Sequence, residues 1–273
     1  MAEVGATGTG RGLWLYAVAR GLDTDAVAEA HGVADGAVRI VSVPLPEAGQ
    51  TVSAVVSTVA LAEFGEAALH RNLEDLDWLA ATARAHDAVV AAVSGAADAA
   101  VPLRLATVCY DEDRVRALVA ERDREFATTL DALSGRTEWG VKVYTEPGRH
   151  TGGEEPAATA TGPGGAGSAY LRKRKAALSA RETGERVAAE HAERLHGTLA
   201  ATAVAHRRHP PQDPKLSGER ARNVLNGAYL VDDDRAREFA ELVRALDAEH
   251  EGVRVELTGP WPPYSFASVG LAE

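Results

Sequence analysis

Trp139-Gly140-Val141-Lys142-Val143-Tyr144 reads WGVKVY. Trp139, Val141 and Val143 alternate with Gly140, Lys142 and Tyr144, and a period of two marks a strand with one buried face. The segments after this strand set the fold of the second half of the chain. From Pro147 to Ser168 the composition is Gly, Pro, Thr, Ala and Ser with almost no large apolar residue, which predicts a flexible loop over 147–168. Tyr170 to about Ala205 reads as one long helix with a thin stripe through Leu171, Leu178, Ala188, Ala192, Leu195 and Leu199. His209-Pro210-Pro211 ends the pattern. A short strand is expected near Ala203, and Asn223 to Val231 (NVLNGAYLV) reads as another. Asp232 to Asp234 are placed to cap a helix with Ala236, Phe239, Ala240, Val243 and Leu246 inward. Gly252 stops it, and Val253, Val255 and Leu257 alternate as a last strand. The order is βαββαβ, the ferredoxin-like plan.

Toward the N-terminus, Leu13 to Ala19 (LWLYAVA) is an apolar run that suits a buried strand. Val38 to Val43 and Val52 to Leu61 form a hairpin across the Pro46 to Gly49 turn. Leu69, Leu73, Leu76, Ala80 and Ala83 recur at three and four residues, as on one helix face. Val101 to Cys109 reads as a strand. Asp111 to Asp113 then open a helix with Val115, Leu118, Val119, Phe126, Leu130 and Leu133 inward, ended by Gly135. The expected architecture is therefore α+β in two domains: a tail over 1–11, a mixed domain over 12–136 whose topology the pattern leaves open, and a ferredoxin-like domain over 137–273.

Charge and motifs narrow the function. The net charge of −11 argues against a nucleic-acid binder, which needs a basic face for phosphate. No apolar run approaches the ~20 residues of a membrane span, and Met1 to Gly12 lack the apolar core of a signal peptide. Cys109 is the only cysteine, so no intrachain disulfide forms, and the thiol reads as core filler. Gly5 to Gly12 precedes any strand and Gly162 to Gly167 lies in the loop, so neither meets the strand-glycine-helix context of a phosphate cradle. His191 and His196 lie about 140° apart on their helix and cannot share a metal. Asp232 to Asp234 could hold a cation, but capping accounts for them. No nucleophile elbow and no cysteine–histidine pair is present. No catalytic, cofactor or metal residue is therefore assigned. Arg172 to Lys175 (RKRK) is the one basic cluster, readable as a solvated helix face or as a contact for an acidic partner.

The C-terminal segment Leu257 to Phe266 reads LTGPWPPYSF. Three prolines among aromatics make a stiff, extended exit from the last strand. It reads either as an aromatic lid over a core or as a rigid contact patch. In the second reading Trp261, Pro262, Pro263 and Tyr264 are the candidate partner-binding residues.

This segment resembles the C-terminal signature of the gas vesicle protein L/F family. Leu13 to Val18 (LWLYAV), Leu61 to Glu66 (LAEFGE), Val101 to Arg104 (VPLR), Trp139 to Tyr144, Tyr170-Leu171 and Asn226 to Val231 (NGAYLV) are similar to the family in the same order. Cys109 departs from it, standing where an aromatic or aliphatic residue is expected. The resemblance implies a non-enzymatic, cytoplasmic accessory protein for building the gas-filled protein shell that gives cells buoyancy. It further implies that the protein binds the very hydrophobic major shell protein, with other gas vesicle accessory proteins as further partners, and stays with the vesicle as a minor component or acts as an assembly factor. A second class, an enzyme or small-molecule sensor on a ferredoxin-like scaffold, would require convergent polar groups in a pocket.

Overall fold

The structure, a computed structural model, describes residues 10–145, 166–211, 221–249 and 252–267. It is mixed α+β, with helices and two separate sheets. The described residues form two compact units, one of residues 10–138 and 261–267, the other from Trp139 to Pro260. The expected loop over 147–168 lies outside the described residues except at its end, where helix has already begun at Ala166.

In the first unit β1 (Arg11–Arg20) is the central strand, and every residue from Gly12 to Ala19 is buried. It pairs antiparallel with β3 (Gln50–Ala60), which pairs with β2 (Val38–Leu45) through the expected hairpin. On the other side β1 meets β4 (Ala99–Pro102) and β5 (Val108–Cys109), giving the order β2-β3-β1-β4 with β5 also on β1. The register passes from Leu15 opposite Val56 to Ala17 opposite Val55, so Tyr16 is an extra, bulged residue. The bulge reverses the alternation. Trp14, Tyr16, Ala17 and Ala19 consequently share one core with Phe64, Val89, Val90 and Val93. Leu13, Leu15 and Val18 are buried as well, and the helices α4 (Glu112–Ala120) and α5 (Asp123–Leu133) contribute buried Val115, Val119, Phe126 and Leu130.

Three sequence expectations are corrected in this unit. The stripe from Leu69 to Ala83 is not one helix but parts of α2 (Glu66–Asn72) and α3 (Leu76–Gly95), after a single turn α1 (Leu61–Phe64). The Asp75 side chain accepts from the Asp77 and Trp78 amides and so begins a new helix, which leaves Leu73 and Leu76 in solvent. The Val101 to Cys109 run splits into β4 and β5 because the chain turns between them, with Ala106 at φ 67°. The 115–133 helix breaks into α4 and α5 at Glu121 and Arg122. Asp111 does cap α4, accepting from the Arg114 amide at 2.8 Å.

A buried polar chain crosses the core of this unit. His86 of α3 is 1% exposed. Trp14 Nε1–H donates to its Nδ1 at 2.9 Å, so its Nε2 carries the proton and donates to the Leu103 carbonyl at 3.2 Å. The Tyr16 ring stacks on the imidazole with centroids 5.3 Å apart. The Tyr16 hydroxyl accepts from the Val33 amide at 2.8 Å and is hydrogen-bonded to the Ser57 hydroxyl at 2.7 Å. Gly32 is needed there, because a Cβ would stand 2.0 Å from that hydroxyl. Removing the hydroxyl in Tyr16→Phe orphans the Val33 amide and should lower stability by about 1–3 kcal/mol, measurable by urea unfolding.

In the second unit β6 (Arg136–Thr145), β7 (Ala205–Arg208), β8 (Asn223–Asp232) and β9 (Val253–Trp261) form a sheet of order β7-β8-β6-β9. Among the described residues two helices, α6 (Ala166–Thr202) and α7 (Ala236–Glu249), complete the sequence strand, helix, strand, strand, helix, strand. The core joins Val141, Val143, Leu225, Tyr229, Val231 and Val253 of the sheet to Ala192, Leu195 and Leu199 of α6 and Phe239, Val243 and Leu246 of α7. The half-buried reading of β6 needs one correction: Tyr144, on the supposedly wet face, is only 2% exposed. Asp233 to Arg235 form a short 3₁₀ turn before α7, and the Asp232 side chain at its N-cap makes no capping bond to that turn. The acidic charge of Asp233 and Asp234 near its positive end favours the helix start there.

Candidate partner-binding site

The four residues singled out in the C-terminal segment belong to the first unit: Trp261 is the last residue of β9, and Pro262, Pro263 and Tyr264 follow it. Trp261 is 52% exposed and Tyr264 39%, whereas Pro262 is half-buried and Pro263 is buried. The segment is therefore neither a full lid nor a loose tail. It is a turn held from below that presents two aromatic faces to solvent.

The turn is closed by its own backbone: the Tyr264 amide donates to the Pro262 carbonyl at 2.8 Å, and the Phe266 and Ala267 amides donate to the Pro263 carbonyl. Neither Pro262 nor Pro263 has an N–H to leave unpaired. Two carboxylates then tie it to the unit. The Ser265 amide donates to Glu138 Oε2 at 2.8 Å and the Ser265 hydroxyl to Glu138 Oε1 at 2.6 Å. Glu138 is 8% exposed, which makes these charge-assisted bonds strong relative to neutral ones. The Tyr264 hydroxyl donates to Asp87 Oδ1 of α3 at 2.9 Å. Burial, the Asp87 charge and that hydrogen bond all push the Tyr264 phenol above its ordinary pKa, so it stays protonated and keeps donating. Glu138→Ala removes both acceptors at once and should cost about 2–4 kcal/mol, read by urea unfolding together with faster proteolysis at the C-terminus.

Sequence reasoning missed Asp87 and Glu138. They lie 177 and 127 residues from their partners, and no local pattern announces such a pairing.

A second polar cluster lies in the other unit. His196 Nδ1 and the Tyr229 hydroxyl are 2.8 Å apart, and the His196 and His206 rings meet edge to face at 5.0 Å. Arg208 bonds Glu193 at 2.7 Å beside them. Burial, then the charges of Arg208 and His206, hold the His196 pKa below the ordinary 6.5, with Glu193 pulling weakly the other way. The folded state prefers the neutral ring, so its contribution to stability is present above the unfolded value and is lost as pH falls below about 6.5. Thermal melts at about pH 7.5 and 5.5 should show that loss, and His196→Gln should reduce the difference.

Among the described residues no group of three or more His, Cys, Asp or Glu is placed to hold a metal. A shallow, open cleft lined by Thr202, Val231, Arg235, Glu238, Phe239 and Leu242 has an internal volume of about 10 Å³, room for about one water. Ligand pockets usually span roughly 300–1,000 Å³. Cys109 is buried and its thiol is pushed up by that burial, away from reactivity. No described helix is long and apolar enough to cross a membrane.

Against this geometry the comparisons with known proteins are specific. The chain is 47% identical over 266 residues to gas vesicle protein L of Streptomyces sp. (strain CB03234), covering 97% of this chain and 95% of that one. It is 29% identical over 194 residues to gas vesicle protein F of the same strain, covering 65% and 74%. Its fold matches the crystal structure of the gas vesicle protein GvpF from Anabaena sp. PCC7120 with a TM-score of 0.62 at 18% identity, covering 94% of this chain and 96% of that one. The family model for the gas vesicle synthesis protein GvpL/GvpF matches residues 12–268, and the chain belongs to that family of gas vesicle accessory proteins.

Proposed function

We propose that this chain is an L-type, non-enzymatic accessory protein that binds the hydrophobic major shell protein during gas vesicle assembly in the cytoplasm. The observation that carries the reading is the anchored turn with Trp261 and Tyr264 half in solvent. A very apolar subunit needs apolar surface to hold it, and a turn already rigid loses little conformational entropy on binding. Likeness to the L protein is greater than likeness to the F protein of the same Streptomyces strain, which favours the L type. The second unit is proposed to be ferredoxin-like, on its strand-helix-strand-strand-helix-strand order and its sheet order β7-β8-β6-β9.

Co-expression with the major shell protein tests the reading. The tagged chain should retain the shell protein through purification and reduce its aggregation. If the shell protein stays insoluble and none is retained, the binding role fails.

A further inference from the structure

The long helix α6 has two parts. From Ala188 onward its stripe Ala188, Ala192, Leu195 and Leu199 is buried in the core of the second unit. Before Ala188 none of its described side chains is buried. That first part, 166–187, contains six Lys or Arg against two Glu, in a chain of net charge −11. Arg174, Lys175 and Leu178 are all exposed, Leu178 by 53%. Spacings of three and four place them on one helix face, an apolar side chain flanked by two cations.

A surface of opposite sign with the same apolar centre lies on the first unit, at the junction of α2 and α3. Leu73 and Leu76 are exposed there, Leu76 by 77%, although both are large apolar residues. Glu74 and Asp77 stand beside them in solvent, while the Asp75 carboxylate is taken up in capping α3. The patch matches the helix arm in both respects, leucine for leucine and carboxylate for cation.

We infer that the α6 arm of one copy docks on the Leu73–Asp77 patch of a second copy of this chain. The contact joins two different surfaces, so it is heterologous and propagates into rings or open chains rather than stopping at a symmetric dimer. The leucines supply the desolvated centre, and the charge pairs at its rim set register and partner choice.

Sedimentation velocity of the full chain over a concentration series provides the test. At about 0.1 M salt the screening length of ~10 Å suppresses the repulsion between whole acidic chains but not the attraction between opposite charges in contact. Association beyond the dimer should appear there and weaken near ~1 M salt. Arg174→Glu/Lys175→Glu should weaken association by on the order of tenfold or more, as should Glu74→Lys/Asp77→Lys, with thermal melts confirming that each variant is folded. Leu178→Glu, on a side chain with no core to disturb, supplies an independent reading. Mixing the two charge-reversed variants should restore association, because each arm then meets a patch of opposite sign. A wild-type chain that stays monomeric throughout, reversals that leave association unchanged, or a mixture that fails to recover would each overturn the inference.

Discussion

His86→Ala is expected to lower the stability of the first unit by about 3–5 kcal/mol, the largest single loss of the substitutions considered. Three costs add at this site. The imidazole is 1% exposed, so truncation leaves a cavity between Trp14, Tyr16 and α3. The Trp14 Nε1–H loses its acceptor and the Leu103 carbonyl its donor, and both are left without a replacement from water. The stacking on Tyr16 also goes. The terms separate by substitution. His86→Phe restores most of the volume and the stacking but still orphans the Trp14 N–H, so it should cost less than alanine, about 1–3 kcal/mol. Trp14→Phe in that background removes the orphan and should be partly compensating, a coupling that a double-mutant cycle reads directly. Urea unfolding is suitable provided that each unit is followed by its own probe, since two units need not unfold in one step. Burial also holds the His86 pKa below its usual value, opposed by the Leu103 bond and Asp87. Its share of the stability is thus present above about pH 6.5 and lost as pH falls, the same sign as at His196.

The strands were legible and the joints between helices less so. The Leu13 to Ala19 run reads best as a buried strand, and it is β1. What the run could not show is the bulge, because Tyr16 and Ala17 look like ordinary neighbours until their register with Val55 and Val56 is known. The Leu69 to Ala83 stripe misled for a definable reason. Its three-and-four spacing runs straight across Asp75, yet Asp75 is itself a capping residue whose side chain starts α3. A local hydrogen bond outweighed the periodicity. Tyr144 misled differently, because alternation records local amphipathicity and not what covers the second face of a sheet. At the candidate site the prolines announced a stiff, extended exit, whereas the chain turns there, closed by bonds to the Pro262 and Pro263 carbonyls. The division of labour within the four residues was invisible: Pro263 goes in and Trp261 comes out, as decided by Asp87 and Glu138 from distant parts of the chain.

Trp261→Ala is expected to separate stability from binding. A side chain 52% exposed has already left about half its surface in water, so truncation should cost no more than roughly 1 kcal/mol and barely move the melting temperature. Capture of the shell protein should fall much further, by about 30-fold, which corresponds to the ~2 kcal/mol of an aromatic anchor at the centre of an interface. Tyr264→Phe tests the support rather than the face. It keeps the ring and loses the bond to Asp87, so binding should weaken only a few-fold through a looser turn. Glu138→Ala goes further along the same line, freeing Ser265 and the whole turn while leaving Trp261 in place. If preorganisation is what the turn contributes, affinity should decline in the order wild type, Tyr264→Phe, Glu138→Ala, with Trp261→Ala lowest although it is the most stable of the two alanine variants. A loss of about 3–5 kcal/mol on Trp261→Ala, the value for a large buried side chain, would make Trp261 a core residue. Unchanged capture by a folded Trp261→Ala chain would remove the turn from the binding face and leave the shell protein to be held by another exposed apolar surface.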